Sequence, residues 1–168
     1  MDSHGLAPKI EVLLDNLRSI YNVGSIFRTS DGAGISHIHL CGITPTPDNP
    51  RLRKTALGAD GAISWNHCLN GCTAAERLAS QGKRLWAIEG GAMARPIHQD
   101  KLEVDERPIV IVIGNEICGI DPGILGKCEK VLSIPMQGMK TSLNAAVAFG
   151  IAAYTIRFHS VMLKRHIE

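Results

Sequence analysis

The chain has 168 residues, of which 45% are hydrophobic, 20% charged and 4% aromatic, with a formal net charge of +2. These proportions fit one globular domain with enough apolar residues for a real core, and argue against a disordered chain. So few rings also argue against a platform that reads splayed bases by stacking, while the small positive charge permits an RNA partner without requiring one.

The N-terminus shows no basic flank followed by an apolar core, so no signal peptide is expected. The longest apolar stretch, Ala145 to Ile156, is shorter than the roughly 20 residues a membrane span needs. The five cysteines, Cys41, Cys68, Cys72, Cys118 and Cys128, form no CxxC pair. They read as reduced thiols of a cytoplasmic protein. His67, Cys68 and Cys72 could begin a metal site, but no fourth ligand is evident and no metal is expected.

Along the chain, short apolar runs alternate with helical patterns, which predicts an α/β domain with a mostly parallel sheet and flanking helices. Residues 10–14 (IEVLL) read as the first strand. A helix is expected from Asn22 to Ala33, ended by Gly34, and then a strand at His37–Cys41. A proline-rich loop, Ile43 to Pro50, leads to a basic cluster of Arg51, Arg53 and Lys54. A short strand is expected at Ala62–Trp65, a helix at Thr73–Ser80 and a strand at Arg84–Ile88. Pro108–Ile113 is the most apolar and β-branched run, which marks a buried central strand. Lys130–Ile134 reads as the last strand. A long helix follows from Ser142 to about Lys164, with Ser142 or Thr141 as its N-cap.

Ligands of such sheets bind beyond the carboxyl ends of strands, so the loops after Ile88, Ile113 and Ile134 are the places to look for chemistry. Three segments stand out. Asn22 and Arg28 lie on one helix, and their spacing alone reads as a capping Asn beside a surface Arg. Gly114-Asn-Glu116, with Gly119, offers a close backbone approach and an acid at the sheet edge, or merely a loop that needs glycine. Ile134-Pro-Met136 is followed by Ser142-Leu-Asn144. There a helix start with unpaired N–H groups can hold an anionic or carbonyl group, or be an ordinary cap. No GxGxxG fingerprint follows a strand, and there is no P-loop.

Taken in order, these segments resemble the three motifs of the SpoU/TrmH branch of the SPOUT RNA methyltransferases. The first is Asn22-Val-Gly-Ser-Ile-Phe-Arg28 through Gly34. The second is Ile111-Val-Ile-Gly-Asn-Glu116 with Gly119, and the third is Ile134-Pro-Met136 with Ser142-Leu-Asn144. Lys54-Thr-Ala-Leu-Gly-Ala59 also matches a segment common in that family. Ile117 stands where the family often has glycine, and only about nine residues precede the first strand.

The resemblance implies a C-terminal deep trefoil knot. Many members carry an N-terminal RNA-binding extension, but with so few residues before the first strand a single domain over 1–168 without one is expected here. The resemblance also implies a homodimer in which the active site borders the interface. It implies S-adenosylmethionine as cofactor and methyl transfer to a ribose 2'-hydroxyl of tRNA or rRNA, tRNA slightly favoured. Gly114, Ile134, Met136 and Leu143 would contact the cofactor, and Ile88, Glu89 and Gly90 would line its adenosine side. Arg28 would be catalytic, with Asn22, Glu116, Ser142 and Asn144 around it. RNA would meet Arg18, Arg28, Arg51, Arg53 and Lys54. Two rival readings share the fold: a non-catalytic RNA-binding protein, and a base methyltransferase of the same superfamily.

Overall fold

The computed structural model describes residues 9–103 and 105–164. The N-terminal reading, no signal peptide before the first strand, falls largely on residues 1–8 and lies outside the described residues. Seven strands of the described residues form one sheet: β1 (Ile10–Asp15), β2 (His37–Cys41), β3 (Ser64–Cys68), β4 (Arg84–Ile88), β5 (Arg95–Pro96), β6 (Ile109–Ile113) and β7 (Lys130–Ser133). Their order is β3-β2-β1-β6-β4-β7-β5, and every ladder between neighbours is parallel. Among the described residues six helices connect them: α1 (Ile20–Ala33), α2 (Pro50–Ala56), α3 (Ala59–Ala62), α4 (Gly71–Ser80), α5 (Pro122–Leu125) and α6 (Ala145–Lys164).

Strand periodicity sorts the core into two layers. Val12, Leu14, Ile38, Leu40, Ile109 and Ile111 face α1 and α6, which contribute Val23, Ile26, Phe27, Phe149, Ala152 and Ile156. Leu13, Leu85, Val110 and Val112 face the other way, against Ala74, Ala75 and Leu78 of α4 and Ile124 of α5. β1, β4 and β6 are therefore covered on both faces, which explains why Ile109–Ile113 is apolar without alternation.

Local chemistry sets the element ends. Ser19 caps α1 by accepting from Asn22 N, and Gly34 closes it with φ 67, a left-handed conformation that glycine adopts at little cost. Four expectations need correction. The basic cluster is helical: Asn49 accepts from Arg51 N and Pro50 occupies the first turn of α2, with only Leu52 and Ala56 buried. The short strand lies at Ser64–Cys68, preceded by helix α3 where strand had been expected to begin. As the half-exposed edge strand it has no apolar run to reveal it. β5 and α5 have two and four residues, too short to show a period. Finally, α6 begins at Ala145, and its cap is Asn144, not Ser142 or Thr141: Asn144 Oδ1 accepts from Ala146 N (2.9 Å) and Val147 N (3.3 Å).

Candidate active site

At the carboxyl ends of β4, β6 and β7 lies an open cleft of about 320 Å³. Ile88, Glu89 and Gly90 come from the end of β4, Gly114 and Glu116 from the loop after β6, and Ile134, Met136, Ser142, Leu143 and Asn144 from the segment joining β7 to α6. All seven residues expected to hold a cofactor thus border one cavity, with three of the five expected around the chemistry. Asn22 borders a shallower hollow next to it, between α1 and α6, that shares Asn144.

A hydrogen-bonded chain joins the two hollows. The Glu116 carboxylate accepts from Arg18 N (3.0 Å), Ser19 N (3.1 Å) and Asn22 Nδ2 (3.1 Å). Asn22 Oδ1 then accepts from Asn144 Nδ2 (2.9 Å), whose Oδ1 caps α6. The amide orientations agree along the whole chain, since each Asn donates through nitrogen and accepts through oxygen. Burial raises the Glu116 pKa, but the N–H groups of Arg18, Asn22 and Ser19 outweigh it and hold the carboxyl below the usual carboxylate range. Glu116 is a charged anchor whose acceptor positions are largely filled.

Gly114 lines the cleft, yet the reason for glycine there is internal. A Cβ would sit 2.4 Å from the backbone of Gly119 and Ile120, because residues 114–119 fold back as a closed loop. Asn115 N and O pair with Gly119 O and N at 3.0 Å each. Glu89 braces the same loop, its Oε2 accepting from Ile120 N at 2.9 Å while Oε1 accepts from Gly90 N at 3.2 Å. Gly90, by contrast, has open space where a side chain would go.

Arg28 stands apart. It lies on the exposed face of α1, borders neither hollow, and makes no hydrogen bond or ion pair among the described residues. Arg18 is exposed just before α1, and Arg51, Arg53 and Lys54 are exposed on α2. Helices α1 and α2 approach closely: a Cβ on Gly24 would lie 2.0 Å from Thr55 Oγ1. Arg53 is partly engaged, donating from Nε to Pro47 O at 2.6 Å. Asn16 and Asn115 escaped the sequence reading. Asn115 sat unremarked inside the second segment, and Asn16 offered no signal beyond a polar residue after a strand.

Parallel α/β architecture with a cleft at the carboxyl edge, walled by three loops, defines a small-ligand site at a place where such sheets bind ligands. The model of the SpoU rRNA Methylase family matches residues 9–154, and the chain belongs to that family. A Bacillus subtilis protein assigned to the TrmH family of tRNA/rRNA methyltransferases, YacO, is 32% identical over 151 residues, spanning 86% of this chain and 57% of that protein. The tRNA (guanosine(18)-2'-O)-methyltransferase of Escherichia coli is 31% identical, spanning 88% of this chain and 62% of the enzyme. Among solved structures, the AdoMet-bound rRNA methyltransferase of Sinorhizobium meliloti superposes with a TM-score of 0.82 at 28% identity, spanning 90% of this chain and 56% of that one. The chain therefore corresponds to about three fifths or less of the length of these relatives.

Proposed function

We propose that this chain transfers a methyl group from S-adenosylmethionine to the 2'-hydroxyl of a ribose in tRNA or rRNA. The observation that carries the reading is the convergence of the three loops on one cleft, with the Glu116–Asn22–Asn144 chain at its rim. Relatives named as 2'-O-methyltransferases of tRNA support it, as does the AdoMet-bound neighbour.

The cleft fits the cofactor in kind. Its volume is within the range of small-molecule sites, about 300 to 1,000 Å³. Ile88, Ile134 and Leu143 give it apolar walls, and the bare backbone at Gly90 leaves room for close approach. These residues with Glu89, Gly114 and Met136 would hold the cofactor, which supplies an electrophilic methyl group when bound.

The chain's own residues must make a ribose hydroxyl nucleophilic and place it. Arg28 is permanently cationic, so it serves better as a clamp on a substrate phosphate and a stabiliser of developing alkoxide than as a base. Glu116 orients Asn22 and the first turn of α1 instead of taking a proton, because its oxygens already accept three N–H groups. Ser142 and Asn144 stand at the cleft's mouth, where the substrate ribose would enter. Phosphate contacts would come from Arg18, Arg51, Arg53 and Lys54.

The further features belong to the same reading. The chain is one domain over 1–168, acts in the cytoplasm and pairs as a homodimer. Its segment after β7 is threaded as a trefoil knot. The knot rests on the family resemblance alone, and no helix among the described residues is long and apolar enough to cross a membrane.

The test is to titrate the chain with S-adenosylmethionine by calorimetry, incubate both with unmodified tRNA and rRNA, and digest the RNA. Nuclease-resistant dinucleotides marked on the ribose are expected. Label on a base would establish the base methyltransferase instead, and cofactor or RNA binding with no transfer would establish the non-catalytic protein.

A further inference from the structure

Loop 114–119 carries Glu116 and part of the cofactor cleft, yet it is only six residues long and exposed over residues 116–118, and something must fix its position. Asn115 does this from inside. Its Oδ1 accepts from Ile117 N (2.9 Å) and Cys118 N (3.0 Å), closing the loop on itself. Its Nδ2 reaches out of the loop to Asn16 O at 2.7 Å. One side chain therefore sets both the shape of the loop and its distance from the end of β1.

Asn16 is built to receive that bond. It has φ 54, in the left-handed region where Asn is among the few tolerated side chains, and this conformation follows the turn out of β1. Its own side chain is tied on both atoms, Oδ1 accepting from Ile43 N (3.2 Å) and Nδ2 donating to Asp15 Oδ1 (3.1 Å). Gly42 is bare where it passes, since a Cβ there would lie 2.0 Å from Asn16 Oδ1. The anchor is thus fixed by the end of β1 and by the turn after β2 before Asn115 reaches it.

We propose that Asn115, latched to the Asn16 carbonyl, is the positioning residue that holds the cofactor loop and, through the next residue, the Glu116 carboxylate. The proposal rests on the methyltransferase reading for the ligand, but not for the geometry. Its two bonds can be separated by substitution. Asn115→Asp keeps an oxygen for Ile117 and Cys118 N–H and sets a carboxylate against the Asn16 carbonyl, so it breaks the latch alone. Asn115→Ala removes both.

The experiment measures S-adenosylhomocysteine binding by calorimetry, well below the melting temperature, in the full chain and both variants. Alongside it run amide hydrogen exchange and steady-state methylation. Losing the latch should weaken binding by about tenfold in Asn115→Asp, the upper end for one hydrogen bond, and further in Asn115→Ala. KM for the cofactor should rise, whereas mere loss of folded protein would lower the apparent kcat and leave KM unchanged. Exchange at Ile117 and Cys118 should accelerate in Asn115→Ala and stay slow in Asn115→Asp. Unchanged affinity and KM in both variants would overturn the proposal. Failure of the unaltered chain to bind would overturn the cofactor reading alone, and the exchange pattern would still decide whether Asn115 shapes the loop.

Discussion

Arg28 and Gly114 show how differently two residues of one site can be constrained. Arg28 is held by nothing else among the described residues, so replacing it removes a cation and little structure. If it stabilises charge in the transition state, Arg28→Ala should lower single-turnover methylation on the order of 10²-fold, the scale for one transition-state donor. S-adenosylmethionine affinity should stay unchanged by calorimetry, because Arg28 does not border the cleft. A near-normal rate would remove it from the mechanism. Gly114 is the opposite case. From sequence, glycine there read as room for a ligand or as a loop that needs glycine; the structure favours the loop, with the chain's own Gly119 and Ile120 2.4 Å from any added Cβ. Gly114→Val should therefore displace loop 114–119 itself. Cofactor binding should vanish and the melting temperature should fall by several degrees, as overpacking by about 1–3 kcal/mol would cause. Full retention of stability with loss of binding would return the glycine to a role toward the ligand.

At the scale of elements, what could be read from sequence followed burial. Ile10–Leu14, His37–Cys41 and Arg84–Ile88 announce themselves because each is buried and apolar enough to show a period, and each lies within a residue of its observed bounds. β3 and α2 do not: an edge strand of Ser-Trp-Asn-His-Cys and a seven-residue helix with two buried positions leave little pattern. The start of α6 was misplaced because Thr141, Ser142 and Asn144 are all acceptable caps, and only the geometry of Asn144 chooses among them. The cleft was legible as three strand-end loops; the hydrogen-bond chain joining them, with partners up to 122 residues apart, was not. Two predictions belong here. Arg51 and Arg53 project from α2 as exposed cations, so replacing both with alanine should weaken RNA binding and flatten its salt dependence by about one ion per lost phosphate contact, with cofactor affinity untouched. An unchanged slope in filter binding would take α2 out of the RNA face.

The second concerns the ladder β1–β2–β3, which carries a polar cluster in its interior. Glu11, 2% exposed, bonds to His39 Nε2 (2.9 Å) and Lys83 Nζ (2.6 Å), and His39 Nδ1 and His37 Nε2 share Asn66 Oδ1. Burial raises the Glu11 pKa, and the bonds from His39 and Lys83 outweigh it, bringing it from 4.5 down to about 2. A carboxylate with a depressed folded pKa binds its proton more readily in the unfolded chain. Its contribution is therefore complete above pH 4.5 and is lost as pH falls towards 2. Unfolding midpoints measured across that window should drop for the unaltered chain and flatten in Glu11→Gln, which should also be less stable at neutral pH. Parallel curves for the two proteins would assign the acid sensitivity to other groups.

For the whole molecule, the outer face of α6 poses the question of assembly. Val147, Ile151, Tyr154 and Phe158 follow at intervals of four, three and four residues and are 49%, 39%, 44% and 41% exposed, while Phe149, Ala152, Ala153 and Ile156 fill the inner face. A helix apolar on both faces is built to be covered twice. Tyr21, 76% exposed at the start of α1, extends the stripe to the edge of the hollow shared with Asn144, so a partner seated there would border the active-site rim. A second copy brings the same stripe in two-fold related form and needs no other component, and it would also set two basic faces in one particle. The chain should sediment as a dimer at micromolar concentration. Ile151→Asp with Tyr154→Lys should yield monomers with native far-UV circular dichroism, because both changes lie outside the core, and methylation should fall along with dimerisation. A monomeric unaltered chain, or an intact dimer in the double variant, would show that this stripe is covered by something else.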